Sequence, residues 1–440
     1  MFDISESQIL EAQRTEICWT NYPRSAATRD SEINEIPAGT WELNGLKCKM
    51  QTPEDRKNTR SYPLQGIKIL DLSTQIPGPY CSMLLADLGA EVIKIENTDG
   101  GDQTRLLPYL FNGVNRNKKC ISLNLKSSEA KEIFYKLAEK AGVILEGFRP
   151  GVCKKLNIDY DAIKKINSQI IYCSITGYGQ DGPYKDKPGH DINYLGYAGL
   201  LSLESDLSTY SKMPSLPLAD LAGSMFAAIS ILTALISRDK TGVGQYIDVS
   251  MTASVFSLID ASISAGLQGQ NGSESLYIPH YGLFQTRDGK FLTLGIVHEE
   301  HFWQKLCSVV DMGDLAGLDL FNRIVKKEEI KTHLQNSFLT RNLNEWLKIL
   351  NEADIPCGPV YTLEESCFDA QAAHRESLFE INHPFEGKIK LRAFPVIFSE
   401  SITRKDMPPP LPGMHTSEIL HSLGYTEKEI SRLIREKIVG

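Results

Sequence analysis

A histidine and two aspartates are the residues whose types suggest acid–base chemistry in this chain. His190 and Asp191 are adjacent in the stretch PGHDINYLGYAGL, and Asp220 lies 30 positions beyond His190. Each stands where a loop meets an apolar segment, and a His and an Asp that converge on one pocket can move a proton. Spacing alone does not bring them together. The local pattern therefore leaves open the plainer interpretation, in which these residues only stabilise a buried turn.

Basic residues cluster in three short stretches of the first half of the chain. Arg105 lies in GGDQTR, Arg116, Lys118 and Lys119 lie in NRNKKC, and Arg149 lies in EGFRPG. Ligands of open α/β sheets sit at the strand ends, and phosphate groups favour Arg and Lys. These stretches therefore suit a phosphate-rich ligand, and the alternative is that each residue belongs to a solvated face.

Two further motifs carry weaker signals. The loop STQIPGP follows an apolar run and can present backbone N–H groups at the start of a helix, but it lacks the GxGxxG pattern of dinucleotide-binding loops. The stretch HEEH at 298–301 is not HExxH and has no evident third ligand. We therefore predict neither a dinucleotide site nor a metal site.

Apolar runs alternate with helical patterns from Gly66 onwards. IKILDLS, EVIKIE, CISLNLK, GVILEGF, QIIYCSITG and QYIDVSM are predicted strands, and PGPYCSMLLADLGA, AKEIFYKLAEKA and ADLAGSMFAAISILTALISR are predicted helices. Near-continuous apolar strands separated by helices predict a parallel sheet covered on both faces. The fold class is therefore α/β, with a large Rossmann-like domain.

Composition bounds the remaining possibilities. The 440 residues are 42% hydrophobic and carry a net charge of −8, which does not favour nucleic acid or acidic membranes as partners. The sequence has no uninterrupted run of about 18 apolar residues, so we do not predict a membrane span. The nine cysteines form no CxxC pair, and the N-terminus lacks a secretory apolar region, so we expect reduced thiols and a cytoplasmic protein.

Changes in composition and in the pattern of predicted elements divide the chain into four segments. Residues 1–63 are irregular and predict an N-terminal arm that packs its aromatic residues on the body, with an independent domain as the alternative. Residues 64–270 form the large domain, and residues 271–375, with a hairpin around Asp288-Gly289, form a smaller α+β domain. Residues 376–440 are expected to return to the large domain.

A series of motifs in this order resembles the class III CoA-transferase superfamily, and most closely its alpha-methylacyl-CoA racemase branch. The motifs include GIKILDLSTQIPGPYCSMLLADLGAEVIKIE, NRNKKCISLNLK, EGFRPGV, ITGYGQDGPY, GHDINYL, TGVGQYIDVSM and LPGMHTSEIL, and they cover residues 64–440. The resemblance implies an interlocked homodimer, with each active site between a large domain and the partner's small domain. It implies acyl-CoA as the substrate, and no cofactor, because CoA is part of that substrate.

The resemblance also assigns roles to individual residues. Arg149 matches the family's CoA-binding arginine, and four further residues are expected around CoA: Arg105, Arg116, Lys119 and Ile76. Transferases of the superfamily use the aspartate that matches Asp220 as a nucleophile, whereas its racemases add the histidine that matches His190. A racemase of 2-methyl-branched acyl-CoA, working through an enolate between His190 and Asp220, is therefore our first expectation. A CoA-transferase that acts through acyl-aspartyl and aspartyl-CoA intermediates is the alternative.

The racemases further pair their histidine with a glutamate of the small domain. The matching segment is TLGIVHEEHFW, in which Glu299 fits by residue type and His298 nearly fits by position. A carboxylate would stabilise the imidazolium form of His190, so we expect Glu299 to take this role.

Overall fold

The computed structural model describes residues 60–203, 215–268, 278–404 and 406–440, together with the backbone of two short strands near the N-terminus. The chain divides into two units, residues 1–60 and 61–440. In the first unit, β1 (Thr40–Leu43) and β2 (Leu46–Lys49) form an antiparallel hairpin. Most of the 1–63 arm lies outside the described residues, and so does its predicted packing on the body. The predicted domain boundary at 270 also lies outside them.

A six-stranded parallel sheet organises the second unit. Its strands are β3 (Lys68–Asp71), β4 (Glu91–Glu96), β5 (Lys118–Ser122), β6 (Val143–Glu146), β7 (Ile171–Thr176) and β8 (Tyr246–Ser250). They lie side by side in the order β5-β4-β3-β6-β7-β8. This is the strand order of the doubly wound α/β fold, in which the direction of winding reverses between the first and the fourth strand. The reversal lies here between β3 and β6.

Helices cover both faces of this sheet. They are α1 (Pro77–Asp87), α2 (Pro108–Val114), α3 (Ser128–Glu139), α4 (Val152–Leu156), α5 (Tyr160–Lys164), α6 (Asp191–Tyr197), α7 (Leu218–Thr241), α8 (Met251–Leu258) and α9 (Asp260–Leu267). One apolar core lies between the sheet and helices α1 and α7, and a second lies between the sheet and α3. Because β3, β4, β6 and β7 are buried on both faces, their sequences are nearly continuous apolar runs.

A smaller antiparallel sheet follows in the chain. Strands β9 (Tyr281–Gln285), β10 (Phe291–Gly295) and β11 (Cys357–Pro359) pair in the order β11-β10-β9. Its helices are α10 (Glu300–Val309), α11 (Leu320–Val325), α12 (Lys327–Phe338) and α13 (Leu343–Glu352). They enclose a separate apolar core around Trp303 and Trp346. The predicted α/β class with a smaller α+β part is therefore confirmed.

The rest of the chain, from residue 363 onwards, adds a hairpin and four short helices. These are α14 (Leu363–Cys367), α15 (Ala370–His374), β12 (Leu378–His383), β13 (Gly387–Arg392), α16 (Thr416–Ser422) and α17 (Glu427–Arg435). Leu420, Leu433 and Val439 are buried in the same core as α3 of the large sheet. The last residues of the chain therefore pack on the large domain.

Helix α7 is the longest helix among the described residues. By length and composition it could also cross a membrane, but half of its most apolar 18-residue window is buried within the protein. Core helices of soluble proteins have the same character. Its apolar sequence is accounted for in part by its packing against α1, β7 and α8.

Candidate active site

A cavity of about 500 Å³ lies where the strand order of the large sheet reverses. Its walls come from the loops that follow β3, β6 and β7 and from the start of α7. Open α/β sheets bind their ligands at this position, because the loops at the carboxyl ends of the two diverging strands leave a crevice. The lining residues include both predicted catalytic side chains of the large domain, His190 and Asp220.

Asp220 is half-buried in the first turn of α7. The neighbouring carboxylate of Asp191 caps this helix, because its Oδ1 accepts hydrogen bonds from the backbone N–H groups of Ala219 at 2.6 Å and of Asp220 at 3.2 Å. Burial, and to a lesser degree the charge of Asp191, raise the pKa of Asp220 to about 7. The site thus holds a carboxyl group that changes charge near neutral pH.

His190 lies on the wall of the same cavity, immediately before α6. Its backbone N–H donates to Asn193 Oδ1 at 3.0 Å, and its side chain is exposed. The structure thus brings His190 and Asp220 to one cavity, as the resemblance predicts. Asp191, the third of these residues, does not line the cavity, and its carboxylate holds the backbone of α7.

A tyrosine cluster supports the loop that carries His190. The ring of Tyr178 lies 5.2 Å from that of Tyr194 and 5.4 Å from that of Tyr197, both edge to face. The hydroxyl of Tyr194 donates to the carbonyl of Gly189 at 2.6 Å. Because aromatic side chains have few rotatable bonds, this packing holds the 189–190 backbone in place.

Three cations line the cavity beside these residues: Arg149, Lys185 and Lys187. Lys187 donates to the hydroxyl of Tyr197 at 3.0 Å. In the described part of the chain, the side chains of Arg149 and Lys185 have no ion-pair or hydrogen-bond partner. Both are exposed and can therefore meet an anionic ligand. Arg149 thus lies in the same cavity as His190 and Asp220, and its contact with CoA stays a prediction, whereas Lys185 was not predicted.

The other predicted CoA-binding cations do not line the cavity. Arg105 makes a bidentate ion pair with the buried carboxylate of Glu96, at 2.7 and 2.8 Å. Arg116 is buried against Asp87. Lys119 pairs with Glu418 at 2.8 Å and with Glu91, the first residue of β4, at the amino-terminal edge of the sheet. The structure thus gives each of them a carboxylate partner, and their contact with CoA stays a prediction.

The loop between β3 and α1, residues 72–76, forms one wall and is called the cavity loop below. Ser73, Thr74 and Gln75 line the cavity, whereas the predicted Ile76 does not. Gln75 has a left-handed backbone (φ 67°), which is uncommon outside glycine. Position 78, just after this loop, requires glycine, because a Cβ there would lie 2.0 Å from Ser73 Oγ. The sequence carries no signal that marks Gln75, since the left-handed conformation depends on distant partners.

Glu299 and His298 lie at the start of α10 and do not line the cavity. The carboxylate of Glu299 accepts a hydrogen bond from the backbone N–H of Val297 at 2.9 Å, and this bond lowers its pKa. The structure therefore does not bring Glu299 to His190 within one chain. Across the described ranges, no group of three His, Cys, Asp or Glu side chains is arranged to hold a metal ion.

A parallel sheet with a cavity at the reversal of its strand order, holding a half-buried carboxyl group and cationic side chains, is the arrangement of an α/β enzyme whose site suits an anionic ligand. The chain belongs to CoA-transferase family III, whose family model matches residues 64–416.

Relatives of two kinds resemble the chain. It is 33% identical to succinyl-CoA:glutarate CoA-transferase of Mus musculus, over 86% of this chain and 90% of that protein. It is 31% identical to alpha-methylacyl-CoA racemase of Homo sapiens, over 86% of this chain and 97% of that protein. A crystal structure of a CAIB/BAIF family protein from Brucella suis superposes with a TM-score of 0.73 at 27% identity, covering 83% of this chain and all of that one.

Proposed function

We propose that this enzyme transfers CoA between carboxylic acids, with Asp220 as the nucleophile. The observation that carries the proposal is a half-buried aspartate that has no cationic partner among the described residues, in a cavity that also presents Arg149 and Lys185. A carboxylate substrate and the phosphates of CoA are both anionic, and these cations suit both. The relative at 33% identity is a CoA-transferase, which supports the transferase over the racemase expected from sequence.

The reaction proceeds in balanced steps through Asp220. The ionised carboxylate attacks the thioester carbonyl of the donor acyl-CoA, which releases CoA thiolate and leaves an acyl-aspartyl anhydride. The thiolate then attacks the aspartyl carbonyl, releases the first acid and forms an aspartyl-CoA thioester. The acceptor carboxylate attacks this thioester and frees the thiolate, which takes the new acyl group from the second anhydride. Asp220 is regenerated.

The environment of Asp220 sets the pH range of this chemistry. A carboxylate is the nucleophile, so the first step requires the ionised form, which predominates above a pKa of about 7. A poorly solvated carboxylate is also a better nucleophile than a hydrated one, because less water has to be removed before it attacks.

Dicarboxylic acids are the first substrates to test. Lys185 and Lys187 lie on the loop that carries His190 and provide positive charge for a second carboxylate at a distance from Asp220. The mouse relative is named for succinyl-CoA and glutarate, which serve here as the first donor and acceptor.

Transfer is tested by incubating the protein with succinyl-CoA and unlabelled glutarate and following both thioesters by mass spectrometry. The proposal expects glutaryl-CoA and free succinate in equal amounts, only when an acceptor acid is present. A matched incubation with acetate, which has a single carboxylate, tests the role of the second charge. Loss of configuration in a 2-methylacyl-CoA without any acceptor would instead favour the racemase.

A racemase is the second candidate, because His190 and Asp220 line one cavity and one relative is a racemase. In that reaction one group removes the C2 proton and the other returns a proton to the opposite face. The raised pKa of Asp220 also suits the acid of this pair. Incubation of a 2-methylacyl-CoA in D₂O separates the candidates, because only the racemase incorporates deuterium at C2 without an acceptor. His190→Ala would abolish the inversion of configuration at C2, because inversion needs both groups.

We also propose that two copies of the chain associate. Helix α7 exposes a stripe of large apolar side chains, with exposed fractions of 37–59%: Met225, Phe226, Ile229 and Ile236. A stripe of this kind is stabilised when a second surface covers it. A second copy would also be the source of Glu299 beside His190. Light scattering of the purified protein tests this, with a dimer expected and a monomer contradicting it.

A further inference from the structure

Four fully buried charged side chains lie beneath the cavity loop: Asp71, Lys94, Asp102 and Lys118. We call them the buried ion network. Lys94 pairs with Asp102 at 2.8 Å, and Lys118 pairs with Asp71 at 3.2 Å. None of the four lines the cavity. A buried ion pair contributes little to stability relative to an apolar pair of similar size, so its presence here calls for another explanation.

The network bonds to the backbone of the cavity loop from below. Lys94 Nζ donates to the carbonyl oxygen of Ser73 at 2.9 Å. Asp102 Oδ1 accepts from the backbone N–H of Gln75 at 3.2 Å. Asp71 Oδ1 accepts from the backbone N–H of Ser73 at 3.0 Å. Ser73 and Gln75, which lie two positions apart in the loop, are therefore hydrogen-bonded to buried charged side chains.

The left-handed backbone of Gln75 requires such an attachment. This conformation costs on the order of 1 kcal/mol for a residue other than glycine, and it persists only where surrounding contacts impose it. The side chain of Gln75 has no hydrogen-bond partner among the residues described and lines the cavity. The strain therefore falls on a residue that faces the ligand, and the contact that fixes its N–H comes from Asp102.

We infer that Lys94 and Asp102 are positioning residues that hold the cavity loop in the conformation required for the reaction at Asp220. They act through the peptide groups of Ser73 and Gln75 and touch no substrate. This inference deepens the proposed transfer function and rests on it. Displacement of a cavity wall by about 1 Å can slow a reaction by up to about a hundredfold, so the loss of both contacts has a measurable effect.

The test separates positioning from stability with an apolar replacement of the whole pair. Lys94→Met/Asp102→Leu leaves no charge of the pair unpaired, and Asp71 keeps Lys118 while Glu96 keeps Arg105. The double variant is therefore expected to lose less Tm than the single variant Lys94→Met, although Thr104 loses the acceptor of its backbone N–H and hydroxyl groups. It nevertheless lacks both contacts with the cavity loop. We expect kcat for succinyl-CoA-to-glutarate transfer to fall about tenfold or more at saturating substrates.

A matched control addresses general destabilisation. Asp87→Asn alters another buried carboxylate, at the far end of α1, that does not contact the cavity loop. It is expected to lower Tm while leaving the kcat of the folded protein within about twofold, because the cavity wall is unchanged. The single variant Lys94→Met, which leaves Asp102 unpaired, is expected to lower both Tm and kcat.

The outcomes distinguish the two levels of the proposal. If the wild-type protein transfers CoA and the double variant is as stable and as fast as wild type, the positioning role is wrong. If kcat of the three variants merely follows Tm, the network is only structural and the inference fails. If the wild-type protein forms no glutaryl-CoA from intact succinyl-CoA and glutarate, the proposed function itself is wrong, whatever the variants do.

Discussion

Charged residues of the large domain fall into two regions with opposite surroundings. In the buried ion network every charge is fully buried and lies within 3.2 Å of an opposite charge. In the cavity, Arg149 and Lys185 have no such partner within the described chain, and Asp220 faces another carboxylate. Compensated charges fix the backbone, whereas uncompensated charges are available to a ligand. Among the described charged residues, those that could act on a ligand are therefore distinguished by the lack of an oppositely charged partner.

Among the predicted changes, replacement of Asp220 should have the largest effect on the rate of CoA transfer. Asp220→Ala removes the nucleophile, and we expect transfer to fall by about a thousandfold or more. The exposed Asp239 at the other end of α7 provides the control, and Asp239→Ala should retain wild-type rates. Succinyl-CoA-to-glutarate transfer assays on both variants check this. An Asp220→Ala protein with more than a tenth of the wild-type rate would contradict the role of Asp220.

Arg149 and Arg116 sharpen the comparison, because Arg149 has no ion-pair partner in the described ranges and Arg116 is buried in an ion pair. Arg149→Ala should raise KM for acyl-CoA about tenfold with little change in kcat, since its contact is equal in ground and transition states. Arg116→Ala should instead lower Tm, because it leaves Asp87 buried without its cation. Steady-state kinetics and thermal unfolding measure both. A raised KM in a stable Arg116→Ala protein would restore Arg116 as a CoA contact.

Asp191 offers a smaller effect with a defined sign. Asp191→Asn keeps an oxygen acceptor for the N–H groups of Ala219 and Asp220 but removes the negative charge. The pKa of Asp220 should fall from about 7 while staying above its ordinary value, because burial is the larger cause. The acidic limb of kcat/KM against pH should then move to lower pH. An unchanged limb would show that another group controls it.

Asp220 should also lower the stability of the folded protein at alkaline pH. Its folded-state pKa is raised, so the folded protein binds this proton more tightly than the unfolded chain. The resulting stability is present below the ordinary pKa of 3.8 and is lost as pH rises through about 7. Asp220→Asn, which stays neutral, should therefore resist urea better than wild type at about pH 8, with a smaller difference at about pH 5. Equal stability at both values would contradict the raised pKa.

The elements that carry the site differ in how well sequence alone predicts them. EVIKIE predicts β4 because a strand buried on both faces is nearly continuously apolar. The predicted strand CISLNLK begins two residues late, since β5 already includes Lys118, whose charge indicates a loop and whose partner Asp71 is distant in sequence. Helix α6 was missed because its seven residues are too few for a helical period.

The candidate site could be predicted in part for the same reason. The resemblance indicated His190, Asp220 and Arg149, and all three line the cavity. Gln75 and Lys185 could not be predicted, because the conformation of one and the exposure of the other depend on contacts between segments far apart in the chain. Arg105 and Arg116 were predicted as phosphate ligands, and no local pattern indicates the buried carboxylates of Glu96 and Asp87 with which they pair.

The central claim is that Asp220 becomes covalently modified during turnover. The most direct measurement is intact-protein mass after mixing with succinyl-CoA, followed by hydroxylamine trapping and peptide mapping, with Asp220→Asn as the matched control. We predict a hydroxylamine-sensitive acyl or CoA adduct on the peptide that contains Asp220, and none on the control. An unmodified Asp220 in protein that exchanges the C2 proton of a 2-methylacyl-CoA with D₂O would contradict the transferase and identify the racemase.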